Sequence, residues 1–179
     1  MAVTLDGLDA AFREKVEQAI ERCLSRGVEM RPYNDLRTPV EQGKLWRQSR
    51  AIEEIRAKMA ELRDKGAPFL ADCIDRAGPQ HGAEVTKAVP GLSWHQWGEA
   101  VDCFWVVDSR AEWSTRKLID GVNGYQVLAD VGEAVGLTAG GHWPRFKDWP
   151  HLQLRPANNP LIAMSLVEID AEMRRRFGP

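Results

Sequence analysis

Cysteine is scarce and poorly placed for a staple: Cys23, Cys73 and Cys103 are odd in number, far apart in the chain, and form no C-x-x-C pair. That excludes a disulfide framework, argues against cysteine ligation of a metal, and leads us to expect reduced, mostly buried thiols in a chain made in the cytoplasm. Long apolar runs are missing as well, since nothing approaches the roughly 20 residues of a membrane span. The opening stretch MAVTLDGLDAAFREK has neither a basic start nor an apolar segment, so no secretory signal is expected. Net charge is only −2, which gives no global field toward nucleic acid or anionic membrane. H-E-x-x-H does not occur, and this excludes a metal site built on one helix of the thermolysin type. Internal repeats, low-complexity tracts and linkers are also missing.

The 179 residues are 44% hydrophobic and 28% charged, enough for one well-packed domain spanning 1–179. Phe12, Val16, Ala19, Ile20, Cys23 and Leu24 recur at helical spacing, which predicts a helix from about Leu8 to Arg26. A short strand at Val28–Met30 and a polar loop at Arg31–Arg37 should follow. Thr38-Pro39-Val40-Glu41 reads as a capped helix start, with a stripe continuing to about Asp64. Gly66-Ala67-Pro68 breaks it, and a shorter helix is expected over Phe69–Arg76, so that 51–80 reads as a helical insertion. Val85–Val89 reads as extended and Glu99–Val107 as the principal strand. A helix around Tyr125–Val135, a strand at His151–Leu154 and a last helix ending near Phe177 complete the pattern. Strands that rarely alternate with helices as βαβ units predict an α+β fold with a small, largely antiparallel sheet and flanking helices.

The chemistry concentrates at two places. Asp102 stands inside the apolar run Ala100–Val107, where an ionised carboxylate needs a cation, a proton or several donors. His95 lies seven residues before it, and far downstream comes Asp148-Trp149-Pro150-His151. Two histidines and a buried carboxylate are the ligand set of an open catalytic Zn2+ site, with the fourth position left for water. Zinc lowers the pKa of such a water to about 7. Hydrolysis then requires a base, and Asp148, across a Trp-Pro turn from His151, is the natural candidate. Arg37, just before the capped helix, is placed to meet a carboxylate or a polarised carbonyl. Each residue also has a plain reading: Asp102 in a buried ion pair with an arginine, Asp148 capping a turn, Arg37 as a solvated loop residue. Trp94, Trp97, Trp143 and Trp149 flank the same segments, as cleft lining or as core.

Ser93-x-His95-x-x-Gly98-x-Ala100-x-Asp102 together with Asp148-x-x-His151 resembles the D-alanyl-D-alanine carboxypeptidase and L-alanyl-D-glutamate endopeptidase family of zinc peptidases. The wider group includes lysostaphin-type enzymes and the Hedgehog signalling domain, and the phage endolysin branch looks nearest. Arg37-Thr38-x-x-Glu41-Gln42-x-x-Leu45-Trp46-x-Gln48 and Gly140-Gly141-x-Trp143-x-x-Phe146-x-Asp148 fit the same pattern. The resemblance implies a Hedgehog/D,D-peptidase-like fold, zinc ligation by His95, Asp102 and His151, Asp148 as catalytic base and Arg37 at the oxyanion. It also implies Ser93 as a hydrogen-bonding residue near the substrate. The chain departs from the pattern in the helical stretch 51–80, in Ser49 where glycine is usual, and in His142 where an acidic residue is common. The implied activity is cleavage of the L-alanyl-D-glutamate bond in bacterial peptidoglycan stem peptides. The implied setting is a bacteriolytic lysin that acts on the cell wall after release from the cytoplasm. Two alternatives stay open: a D,D-carboxypeptidase or dipeptidase releasing D-alanine, and a non-catalytic zinc module that binds wall fragments or a protein. No partner in nucleic acid or membrane is expected, and the sequence leaves the oligomeric state open.

Overall fold

Asp9 starts the first helix, α1 (Ala10–Ser25), by accepting from the backbone N–H groups of Ala11 and Phe12 at 3.0 and 3.1 Å. That satisfies two of the donors a helix start leaves open. The computed structural model describes residues 4–179, and it divides into two units. One unit comprises Met1–Leu36 and Trp97–Pro156, and the other Arg37–Gln96 and Ala157–Pro179.

The first unit is built on a sheet. After α1 come β1 (Glu29–Asn34), β2 (Ala100–Val107), β3 (Arg110–Glu112), α5 (Gly124–Ala134), β4 (Thr138–Ala139) and β5 (His151–Gln153). Their order is β1-β2-β5-β4 with β3 also on β2, and every pairing is antiparallel. The expected α+β class with a small antiparallel sheet is therefore observed. Val101, Cys103 and Trp105 of β2 turn to one face, where they pack with Met30, with Phe12 and Val16 of α1, and with Tyr125 and Leu128 of α5. Each large apolar side chain buried there contributes about 1.5–3 kcal/mol. Alternation sends Asp102 and Phe104 to the opposite face. All three cysteines are buried and free, as expected.

β1 is longer than the expected Val28–Met30 and takes in half of what reads as the loop Arg31–Arg37. Its outward residues Arg31 and Tyr33 are exposed, so the sequence there looks like loop although the backbone is paired to β2. β3 has no counterpart among the expected strands. It forms because Asp108 and Ser109 both take positive φ (48° and 63°), closing a two-residue hairpin between Val107 and Arg110.

The second unit is helical: α2 (Pro39–Arg47), α3 (Ile52–Asp64), α4 (Pro68–Arg76) and α6 (Leu166–Phe177). Thr38 and Glu41 form the expected capping box on α2, and Ser165 with Glu168 forms another on α6. The single helix expected from Pro39 to about Asp64 is in fact α2 and α3. The chain breaks at Ser49, whose φ of 62° is left-handed, a position where glycine carries no side-chain penalty. The departure from the family pattern at that serine therefore falls on a strained turn. Val85–Val89, expected to be extended, joins no sheet; the side chain of Gln42 claims its polar groups instead, donating to the Ala88 carbonyl at 2.7 Å.

Candidate metal centre

Antiparallel pairing of β2 with β5 puts Asp102 directly opposite His151, so the two side chains share a face. His151 Nδ1 lies 3.0 Å from Asp102 Oδ1, and His151 Nε2 lies 3.0 Å from Gln153 Oε1. Gln153, two residues along β5, is held by donating its own Nε2 to the Arg155 carbonyl. Asn34 donates Nδ2 to Asp102 Oδ2 at 2.9 Å. A bulge in β1 brings Asn34 there. Pro32 pairs with Cys103 and Asn34 with Asp102, which leaves Tyr33 as the extra residue.

His95 sits in the 3-10 turn Trp94–Trp97 that leads into β2. His95, Asp102 and His151 each offer one ligand atom, and these atoms lie within 4.8 Å of one another. All three are buried, at 3%, 9% and 7% exposure, which desolvates the set and leaves its donors little competition from water. Imidazole nitrogens and a carboxylate oxygen are the donors zinc takes, and three of them leave a position open. The trio read from the sequence is thus assembled, and its chemistry fits Zn2+. With Nδ1 turned to Asp102, the Nε2 proton is free to go to Gln153. A ligating imidazole is commonly oriented in this way through its second nitrogen. Burial alone would lower the His151 pKa. The hydrogen bond and charge of Asp102, with lesser contributions from Asp148 and Gln153, outweigh that and raise it.

Asp148 is half-buried on the turn before β5. Its backbone N–H donates to the Gly140 carbonyl at 2.9 Å, and its carbonyl accepts from the His151 N–H at 3.1 Å. The first glycine of the motif, Gly140, is needed here, because a Cβ would run into the Asp148 carbonyl oxygen and lie 3.0 Å from the Cβ atoms of both Asp148 and His151. Gly140→Ala is expected to cost about 1–3 kcal/mol by overpacking. Thermal melting would show that modest loss, while zinc titration should show a larger one as His151 is displaced.

Arg37 and Ser93 stand in the helical unit. The Arg37 backbone N–H donates to the His95 carbonyl at 3.2 Å, and its Nη1 donates to Gln42 Oε1 at 2.9 Å. The same Oε1 accepts from Gln96 Nε2, and Gln96 Oε1 accepts from the Gly91 N–H at 2.9 Å. Gln42 and Gln96 are fully buried, so this amide relay fixes the segment that carries Ser93 and His95 against the arginine. Ser93 is half-buried, and its carbonyl accepts from the Gln96 N–H at 3.1 Å. His142, which stands where an acidic residue is common in the family pattern, faces Glu133 and Asp130 at 2.9 and 3.3 Å.

Asn34, Gln153 and Gln96 were not evident as site residues. Alternation along the strand His151–Leu154 places Gln153 on the His151 face, which is the signal the sequence offers for it. Asn34 gave none, because the bulge that aims it is invisible in sequence. Gln153→Ala should lower zinc affinity about 10–100-fold while leaving the fold intact, measured by competition with a chelator. Gln153→Glu, which keeps an acceptor, should recover most of it.

The sheet, its flanking helices and the buried His-Asp-His set define an α+β protein with a candidate metal centre. Comparison with known proteins sharpens this. Residues 86–154 match the D-alanyl-D-alanine carboxypeptidase family, so the resemblance carried by His95, Asp102, Asp148 and His151 is borne out over that stretch. The peptidoglycan L-alanyl-D-glutamate endopeptidase CwlK of Bacillus subtilis is 32% identical over 78 residues, 42% of this chain. The chain spans about half the length of that relative, 47%. Among solved structures, the L-Ala D-Glu endopeptidase ChiX of Serratia marcescens aligns with a TM-score of 0.48 and 18% identity, over 84% of this chain and 83% of that one. The vancomycin-resistance D,D-pentapeptidase VanY, solved with Zn(II), aligns with a TM-score of 0.47 and 18% identity, over 94% and 78%.

Proposed function

We propose that the chain is a zinc peptidoglycan peptidase that cuts the L-alanyl-D-glutamate bond of stem peptides. The buried trio of His95, Asp102 and His151 carries this reading, and the match of 86–154 to a peptidase family supports it. Bound there, zinc would polarise the scissile carbonyl and acidify a water. The residues of the chain do the rest. Asp148 takes the proton from that water and returns it to the leaving amine. The Arg37 guanidinium, aimed by Gln42, meets the negative charge that grows on the carbonyl oxygen. Ser93 hydrogen-bonds the peptide beside His95. The choice of bond rests on the likeness to CwlK, and its setting in a phage-type lysin that acts on the bacterial wall, as one catalytic domain, belongs to the same proposal.

No helix among the described residues is long and apolar enough to cross a membrane. The D,D-peptidase alternative is kept because the matching family is described by a D,D-carboxypeptidase. A synthetic stem pentapeptide separates the two. Incubation with the zinc-loaded protein should yield a new D-glutamate amino terminus, whereas free D-alanine would move the assignment to the D,D branch.

A further inference from the structure

The open face of the sheet carries more than the metal ligands. Phe104 stands two residues beyond Asp102 on β2, on the same face. Tyr33, the bulged residue of β1, lies beside it, with ring centres 6.1 Å apart. Trp113, just after β3, completes the group at 5.3 Å from Tyr33, edge-on, and 5.7 Å from Phe104. Trp113 and Tyr33 remain 54% and 39% exposed, so two large rings face solvent at a place where the core does not need them. The group adjoins the metal ligands. Tyr33 precedes Asn34, the partner of Asp102, and its phenol is pushed above the usual tyrosine range by burial and by the charges of Asp102 and Asp148.

We propose that Tyr33, Phe104 and Trp113 form a saccharide platform that seats the N-acetylhexosamine ring from which the stem peptide hangs. The inference rests on the L-alanyl-D-glutamate reading and deepens it. A pyranose presents an apolar C–H face and acetyl methyl groups to an aromatic surface, while its hydroxyls stay in water. Exposed tyrosine and tryptophan rings suit such an amphipathic ligand, since they give large rigid contact area at little entropy cost. Reach decides the occupant. Phe104 lies about 6–7 Å along the strand from Asp102. In a stem peptide only one alanine and a three-carbon lactyl link separate the L-alanyl-D-glutamate carbonyl from the sugar, about 6–8 Å when extended. From a terminal D-alanyl-D-alanine bond the sugar lies four residues away, about 17 Å or more, and would overshoot the rings.

The test compares two substrates on the zinc-loaded protein: a stem peptide joined to N-acetylmuramic acid, and the same peptide without sugar. The wild type should show a KM about tenfold lower for the sugar-bearing peptide. Trp113→Ala should erase that preference while leaving turnover of the bare peptide unchanged, and Trp113→Phe should restore most of it. Equal losses on both substrates, or a preference that survives Trp113→Ala, would overturn the platform. In parallel, the free N-acetylglucosaminyl-N-acetylmuramic acid disaccharide is titrated while the indole N–H resonance of Trp113, assigned by its loss in Trp113→Ala, is followed by NMR. A saturable shift supports sugar binding whichever bond is cut, and no shift overturns it. If sugar binds but neither substrate is cut at L-alanyl-D-glutamate, the bond assignment fails and the platform stands.

Discussion

Replacing His151 with alanine is expected to weaken zinc uptake severely. The ligand atoms of His95, Asp102 and His151 lie within 4.8 Å of one another, and the change leaves two donors of three. A structural zinc site of four ligands binds with about 10–16 kcal/mol, so one ligand accounts for about 3–4 kcal/mol, or roughly a 100- to 1,000-fold fall in affinity. The folded state should suffer less. Asp102 keeps its 2.9 Å hydrogen bond from Asn34, and the loss of its His151 contact costs about 1–3 kcal/mol. Titration against a competing chelator measures the affinity, and circular dichroism checks that the fold survives. The same titration carries a pH signature. The raised His151 pKa means that protons compete with zinc for that imidazole. Uptake should therefore release protons and weaken as pH falls through the histidine range. An affinity independent of pH would place the ion away from His151.

The second large effect separates binding from chemistry. Asp148→Ala should leave the zinc affinity within a few-fold of wild type and reduce cleavage by about 100- to 10,000-fold, the usual worth of a positioned acid–base group. Asp148 lies outside the close trio, and its backbone N–H and carbonyl bond Gly140 and His151. Removing the side chain therefore keeps the turn. Asp148→Asn tests the same point with the shape preserved, and it should be nearly as inactive. Turnover that survives either change would reassign the base, and zinc lost along with activity would make Asp148 a ligand.

Much of this was legible because its signals were local. A carboxylate in the middle of Ala100–Val107 demanded a partner, and the strand around it was the surest element in the chain. The Thr38–Glu41 capping box and the glycine pair before Trp143 were equally direct. Less legible was everything that depends on pairing across the chain. The bulge at Tyr33 puts Asn34 on Asp102, yet nothing near residue 33 announces it. The Asp108-Ser109 hairpin uses positive φ without glycine, so the turn and β3 were missed together. The break at Ser49 failed for the same reason, since a left-handed serine reads as helix when the apolar stripe continues beyond it. The Gln42–Gln96 relay joins residues 54 apart, a contact that spacing does not reveal.

The central claim is that the buried trio holds zinc for peptide hydrolysis at the L-alanyl-D-glutamate bond. Mass spectrometry of purified peptidoglycan, digested by the zinc-loaded protein beside a chelated control, tests it most directly. The account predicts fragments with new D-glutamate amino termini, absent after chelation and regained when zinc is returned. Zinc that stays bound while several wall types give no product would contradict it and point to a binding module instead.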